Sequence, residues 1–129
     1  MLRKAASILA LAAITLDPSQ ASGQERWTID VDGVAREALV FAPEGAASSG
    51  TSGDAAAPLV LSFHGHGGRA RAMARVAPLH SAWPEAVVIY PQGLPTAGFT
   101  DPEGKLPGWQ HAPGDEGDRD LAFFDALLS

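Results

Sequence analysis

Leu61-Ser62-Phe63-His64-Gly65-His66-Gly67-Gly68 decides how this chain is read. It opens inside Pro58-Leu59-Val60-Leu61-Ser62-Phe63, a short apolar run bounded by turn residues, the pattern of a central strand buried on both faces. His64 to Gly68 interrupts that run at once. Arg69 to Ala77 follows, rich in Ala, Arg and Met, and predicts a helix broken or kinked at Pro78. Ala86-Val87-Val88-Ile89-Tyr90 is a second buried strand, stopped by Pro91. Strand, glycine-rich turn, helix and strand make a βαβ unit, so the two strands are expected parallel in one sheet, joined by a right-handed crossover. The fold class is therefore α/β.

Working outward, Trp27, Ile29 and Val31 alternate with Thr28, Asp30 and Asp32, as in a half-buried strand. Asp32-Gly33 is a type I′ turn signal, and Val34 to Ala42 reads as a second strand closed by Pro43. An antiparallel hairpin should thus precede the parallel unit. Gly45 to Ala57 is rich in Gly, Ser and Ala and reads as a surface loop. Gln92 to Gly117 is a long loop carrying Pro95, Pro102, Pro107 and Pro113; loops of this length in a compact domain usually serve function. Asp118 or Asp120 is expected to cap a final helix whose Leu121, Phe124 and Leu128 share one face. The chain reaches Ser129 inside that helix, without a glycine cap, a breaker or a following strand. Two parallel strands covered on one side by one or two helices would leave a sheet face bare. Residues 22–129 are accordingly expected to be the N-terminal portion of a larger α/β domain.

Residues 1–21 read as an export signal: Met1 to Lys4 is basic, Ala5 to Leu16 is apolar, and Ser19-Gln20-Ala21 is a small-x-small cleavage site. A cytosolic amphipathic helix is the competing reading, but Leu2 to Leu16 is apolar all round apart from its start. The segment is too short to span a bilayer, and no later stretch is apolar enough. A secreted or periplasmic location follows. The net charge of −6 disfavours nucleic acid as a partner. The absence of cysteine excludes disulfides, thiolate metal sites and a cysteine nucleophile from this chain.

The chemistry concentrates in the glycine turn. Gly65, Gly67 and Gly68 permit left-handed backbone and close approach of a substrate. Amides at such a turn can converge on developing negative charge, which is the requirement of an oxyanion hole.

His-Gly-x-Gly-Gly after an early strand resembles the oxyanion motif of lipases and esterases. Further segments agree in order: Val87-Val88-Ile89-Tyr90-Pro91-Gln92-Gly93, then Gly108-Trp109-Gln110, then Asp118-Arg119-Asp120-Leu121-Ala122-Phe123-Phe124. From about Val34 to its end, the chain resembles the polyhydroxybutyrate depolymerase and feruloyl/acetylxylan esterase group of secreted α/β-hydrolases. The resemblance implies a serine carboxylic-ester hydrolase acting on polyester or plant-wall esters without a cofactor. It implies that the His66 N–H, with Gly67 beside it, is an oxyanion donor, that His64, Gly65 and Gly68 support the loop, and that Trp109 lies near the substrate rim. His66 stands where other members carry Cys or Gly, a change that a backbone donor tolerates. The family's serine lies in a G-x-S-x-G elbow after the next strand, and this chain has none; Gly50-Thr51-Ser52-Gly53-Asp54 fails at its last position. No catalytic nucleophile, acid or base is therefore assigned to any residue here, and the triad is expected beyond Ser129.

Other readings fit less well. His64-x-His66 lacks a third metal ligand, and His80 and His111 look isolated, so no metal is expected. Gly65-x-Gly67-x-x-Ala70 loosely matches a dinucleotide fingerprint, but no acid follows the next strand to bind a ribose. Asp115, Glu116, Asp118 and Asp120 lack a calcium-loop spacing and are better explained by capping and a solvated turn. Arg69, Arg71 and Arg75 are most simply a solvated helix face, and Tyr90 a core residue. The alternative function is a non-catalytic secreted binding module with Trp109 as an aromatic platform.

Overall fold

A computed structural model describes residues 23–43 and 57–129. The expected export signal, and the 45–57 loop apart from Ala57, lie outside them. Strands β1 (Gln24–Val31) and β2 (Val34–Phe41) pair antiparallel, from Gln24 opposite Phe41 to Val31 opposite Val34. Asp32 and Gly33 turn the chain with φ of 52° and 81°, as a type I′ turn requires. Asp30 Oδ1 accepts the Gly33 N–H at 3.0 Å and steadies the turn.

β3 (Leu59–Leu61) runs parallel to β4 (Val87–Pro91), and α1 (Ala70–Val76) and α2 (Leu79–Ala82) lie between them in the chain. β2 lies antiparallel on the other side of β4, with Ala38 opposite Pro91 and Phe41 opposite Val88. The hairpin and the parallel pair are thus one mixed sheet of order β1-β2-β4-β3. The period of two along each strand sorts its side chains into two cores. Leu39, Val88 and Tyr90 face α1 and meet Ala70 and Ala74. Ile29, Ala38, Val40 and Ile89 point the other way and meet Phe123 and Leu127 of α3 (Arg119–Leu128). Each large apolar side chain buried this way contributes about 1.5–3 kcal/mol.

Four expectations are corrected. The sheet is not bare on one side, because α3 covers the face opposite α1. The buried face of α3 is Asp120, Phe123 and Leu127; Leu121, Phe124 and Leu128 are exposed. Hydropathy alone picked the wrong stripe, because an aspartate paired with a buried guanidinium outranks a leucine without a partner. β3 is not a strand buried on both faces. It is three residues long, Leu59 is 45% exposed, and β4 is its only strand neighbour among the described residues. An edge position leaves one side of the strand without a partner. Finally, neither Asp118 nor Asp120 caps α3 with its side chain. Gln110 does so from a distance: its Oε1 accepts the Asp120 N–H at 3.0 Å and the Leu121 N–H at 3.4 Å.

The 92–117 segment is ordered by its own small hairpin, β5 (Leu94–Pro95) against β6 (Pro107–Gly108). A short 3₁₀ turn (Asp115–Asp118) leads into α3. Among the described residues no helix is long and apolar enough to cross a membrane.

Candidate functional site

The glycine turn leaves the sheet at the carboxyl end of β3. Ser62 N–H still donates to Ile89 O at 2.9 Å, and the chain then lifts away through Phe63 and His64. His64 is only 4% exposed, and its ring is committed at both nitrogens. Nε2 accepts the Gly93 N–H at 2.9 Å, and Gln92 Nε2 lies 3.2 Å from the same atom. A backbone N–H can only donate, so Nδ1 carries the ring hydrogen and donates to Gly65 O at 2.7 Å. The carbonyl of His64 accepts the Trp109 indole N–H at 2.8 Å. His64 therefore clamps the turn to the end of β4, and Trp109 clamps His64.

Gln92 extends this clamp. Its Oε1 accepts the Ala70 N–H at 3.0 Å, so one side chain joins the start of α1, the His64 ring and the exit of β4. Sequence reasoning did not single out Gln92; its place directly after the strand-ending Pro91 was the available signal.

Within the turn, Gly68 N–H donates back to Gly65 O at 2.9 Å. A Cβ at Gly68 would sit 2.8 Å from that same oxygen, which explains glycine there. Gly67 takes φ 76°, and its N–H donates to Pro107 O at 2.7 Å. The Gly67 hydrogen is thus spent in pinning the turn to β6. The N–H groups of Gly65 and His66 have no acceptor among the described residues.

The His66 imidazole does not join that of His64. It lies against the backbone of the 92–117 segment, where a Cβ at Gly98 or Gly108 would approach the ring to 2.9 or 2.6 Å. Its Nε2 is 3.3 Å from Asp101 Oδ2. Asp101 also accepts the Leu106 N–H at 2.8 Å. That amide, then the Lys105 amide and the His66 ring, hold its carboxyl below the ordinary aspartate pKa. The turn and the hairpin loop are thus locked through His66 and Gly67.

Trp109 is half-buried, edge-on to Phe63 at 5.0 Å between ring centroids. Phe63 is 44% exposed and Leu106 47%, so an apolar surface borders the turn. Leu106 also lies 3.6 Å from a Cβ built on Gly67.

The acidic residues of the 115–120 stretch have separate partners. Asp115 Oδ2 accepts the Ala112 N–H, Glu116 pairs with Arg119, and Asp118 Oδ1 accepts from Gly114 N–H and Gln110. Asp120 pairs with Arg36. No group of three His, Cys, Asp or Glu side chains suited to a metal ion occurs among the described residues. His80 is not isolated: it stacks on Phe41 at 3.7 Å, and its Nδ1 lies 2.9 Å from the hydroxyl of the fully buried Tyr90. No serine hydroxyl among the described residues is hydrogen-bonded to a histidine; Ser62 is buried, and Ser129 donates to Ala126 O. Set against known proteins, the chain matches no family model, no curated protein and no solved structure.

Proposed function

We propose that this chain forms the oxyanion-binding part of an exported carboxylic-ester hydrolase of the α/β-hydrolase type, acting on polyester or plant-wall esters by serine acyl-enzyme chemistry. One observation carries the reading. The His66 N–H has no acceptor among the described residues, yet it sits in a turn that five hydrogen bonds around it hold in place: His64 to Gly93 and to Gly65, Trp109 to His64, Gly67 to Pro107 and Gly68 to Gly65. An N–H held open in a rigid turn can stabilise negative charge without reorganising first. When a serine attacks the ester carbonyl, the carbonyl oxygen becomes an alkoxide. The His66 N–H donates to it, and a second donor follows the nucleophile in the resembling family. Each such donor is worth about 2.7–4 kcal/mol in the transition state. Nucleophile, base and acid are supplied by residues other than those described here.

The test is to read the open reading frame beyond Ser129 and to express two polypeptides: the 129-residue chain, and any longer product the frame encodes. The longer one should carry a strand followed by G-x-S-x-G and turn over p-nitrophenyl acetate with an acyl-enzyme burst. The shorter one should not. A stop codon directly after Ser129, or robust turnover by the 129-residue chain, overturns the proposal.

A further inference from the structure

A concavity of about 390 Å³ lies behind the glycine turn. Its floor and walls are Ala38, Leu39, Ala70 and Pro107, apolar or small, together with Gln92 and Gly93. The last two, with Pro107, are the residues that hold the turn in place. Its rim carries Arg26, Arg69 and Arg71 and a single carboxylate, Glu37. Glu37 is already paired with Arg26 at 3.2 Å. Arg69 and Arg71 have no carboxylate partner among the described residues.

Arg69 precedes α1 in extended backbone, Arg71 lies in its first turn, and both are exposed. The tertiary structure changes their setting by bringing β1, through Arg26, and the β4 exit, through Gln92 and Gly93, around the same hollow. In a chain of net charge −6, a concave site with two unpaired guanidinium groups is a local reversal of sign. We propose that this cavity binds a small organic monocarboxylate, its apolar body on Leu39 and Pro107 and its carboxylate on Arg69 and Arg71. The planar guanidinium fork suits a carboxylate. The surrounding negative field penalises a dianion such as phosphate twice as heavily as a monoanion, and the apolar walls give phosphate nothing to bury. The size is at the small end for ligand sites and suits a small acid.

The role of the site rests on the ester-hydrolase reading: it would hold the free acid end of an oligoester, or the acid product, beside the turn that binds the oxyanion. The binding itself does not depend on that reading and is measured without turnover. The isotopically labelled full chain is titrated with 3-hydroxybutyrate, with its methyl ester and with inorganic phosphate, following backbone amide shifts. The acid should move the Ala70, Gln92 and Gly93 amides in a saturable way, and the methyl ester and phosphate should not. Arg69→Gln or Arg71→Gln should each weaken the acid by about three- to fivefold, and the double variant by about tenfold. Arg75→Gln, which removes the same charge outside this cavity, should leave binding unchanged. Equal binding of acid and methyl ester, shifts confined to Gly65 and His66, or an Arg75→Gln effect as large as the others overturns the proposal. Absence of any shift also overturns it and leaves the oxyanion reading standing.

Discussion

Arg36 and Asp120 form a buried ion pair: Arg36 Nη2 lies 2.8 Å from Asp120 Oδ1, with the two side chains 1% and 7% exposed. Arg36 also donates to Arg119 O at 3.1 Å, and its guanidinium carbon lies 4.2 Å from the centre of the Phe123 ring. Asp120 in turn accepts the Gln110 N–H at 2.7 Å. One ion pair thus ties β2, the start of α3 and the loop beyond Trp109 into a single unit. Burial pulls the Arg36 pKa down, and the bond and charge of Asp120 pull it back up.

Removing one member of that pair leaves a buried charge without its counterion. Arg36→Met or Asp120→Asn alone should therefore cost about 3–5 kcal/mol in urea unfolding. The double variant should be less destabilised than the sum of the two singles. Strict additivity would show that the pair is not coupled.

The His64 tautomer is directly measurable. Nitrogen-detected NMR should find the hydrogen on Nδ1, with Nε2 as the acceptor for Gly93. Trp109→Phe, which deletes the indole N–H, should cost about 0.5–1.5 kcal/mol and leave the tautomer unchanged. A hydrogen found on Nε2 would contradict the clamp.

Two glycines in the 92–117 loop should differ in what they tolerate. A Cβ at Gly108 meets the His66 ring, a side chain that can move, whereas a Cβ at Gly93 meets the backbone of Gly108. Gly108→Ala should cost about 1–3 kcal/mol, and His66→Ala should relieve most of that. Gly93→Ala should cost more and should not respond to His66→Ala. Thermal unfolding of the four variants distinguishes the two cases.

The proposed oxyanion role of the His66 N–H makes its own prediction, read in any polypeptide containing this chain that shows esterase turnover. His66→Ala keeps the N–H and should retain kcat. His66→Pro removes it and should lower kcat by about 10²–10³-fold. Equal kcat for the two variants would end the oxyanion assignment.

Stability should fall with acid in two windows. Desolvation lowers the His80 pKa from its ordinary value of 6.5, so the unfolded chain takes up a proton there before the folded one does. The full contribution is present above pH 6.5 and is lost as pH falls through the lowered folded value. His80→Phe should flatten that window. A second loss should begin near pH 3.8, as Asp101, held down by the Leu106 amide, and Asp118, held down by the Gly114 amide, are protonated. Urea midpoints from pH 8 to pH 3 in wild type and the His80 variant check both.

Local pattern determined the elements with period, punctuation or turn chemistry of their own. The alternation through Ile29 and Val31, the Asp32-Gly33 turn, the helix before Pro78 and the apolar strand ending at Pro91 all stand in the structure. Each is set by residues within a few positions of one another, so one sequence window contains its cause. The parallel pairing of β3 with β4 followed from a general rule about the turn and helix between them.

Tertiary structure alone decided which faces are inside and which amides are free. Arg36 sits in a strand where a charge reads as outward-facing, and only a partner 84 positions away puts it in the core. That pair chose the Asp120, Phe123 and Leu127 face of α3 over the more apolar stripe. Gly67 and His66 are neighbours in one motif, yet Pro107 takes the hydrogen of the first and leaves the second open. The gathering of Arg26 with Arg69 and Arg71 around one hollow is likewise invisible in the chain. Long-range partners carry no periodic signature in the sequence, so the direction of a hydrogen bond or a buried charge is fixed only when the layers pack.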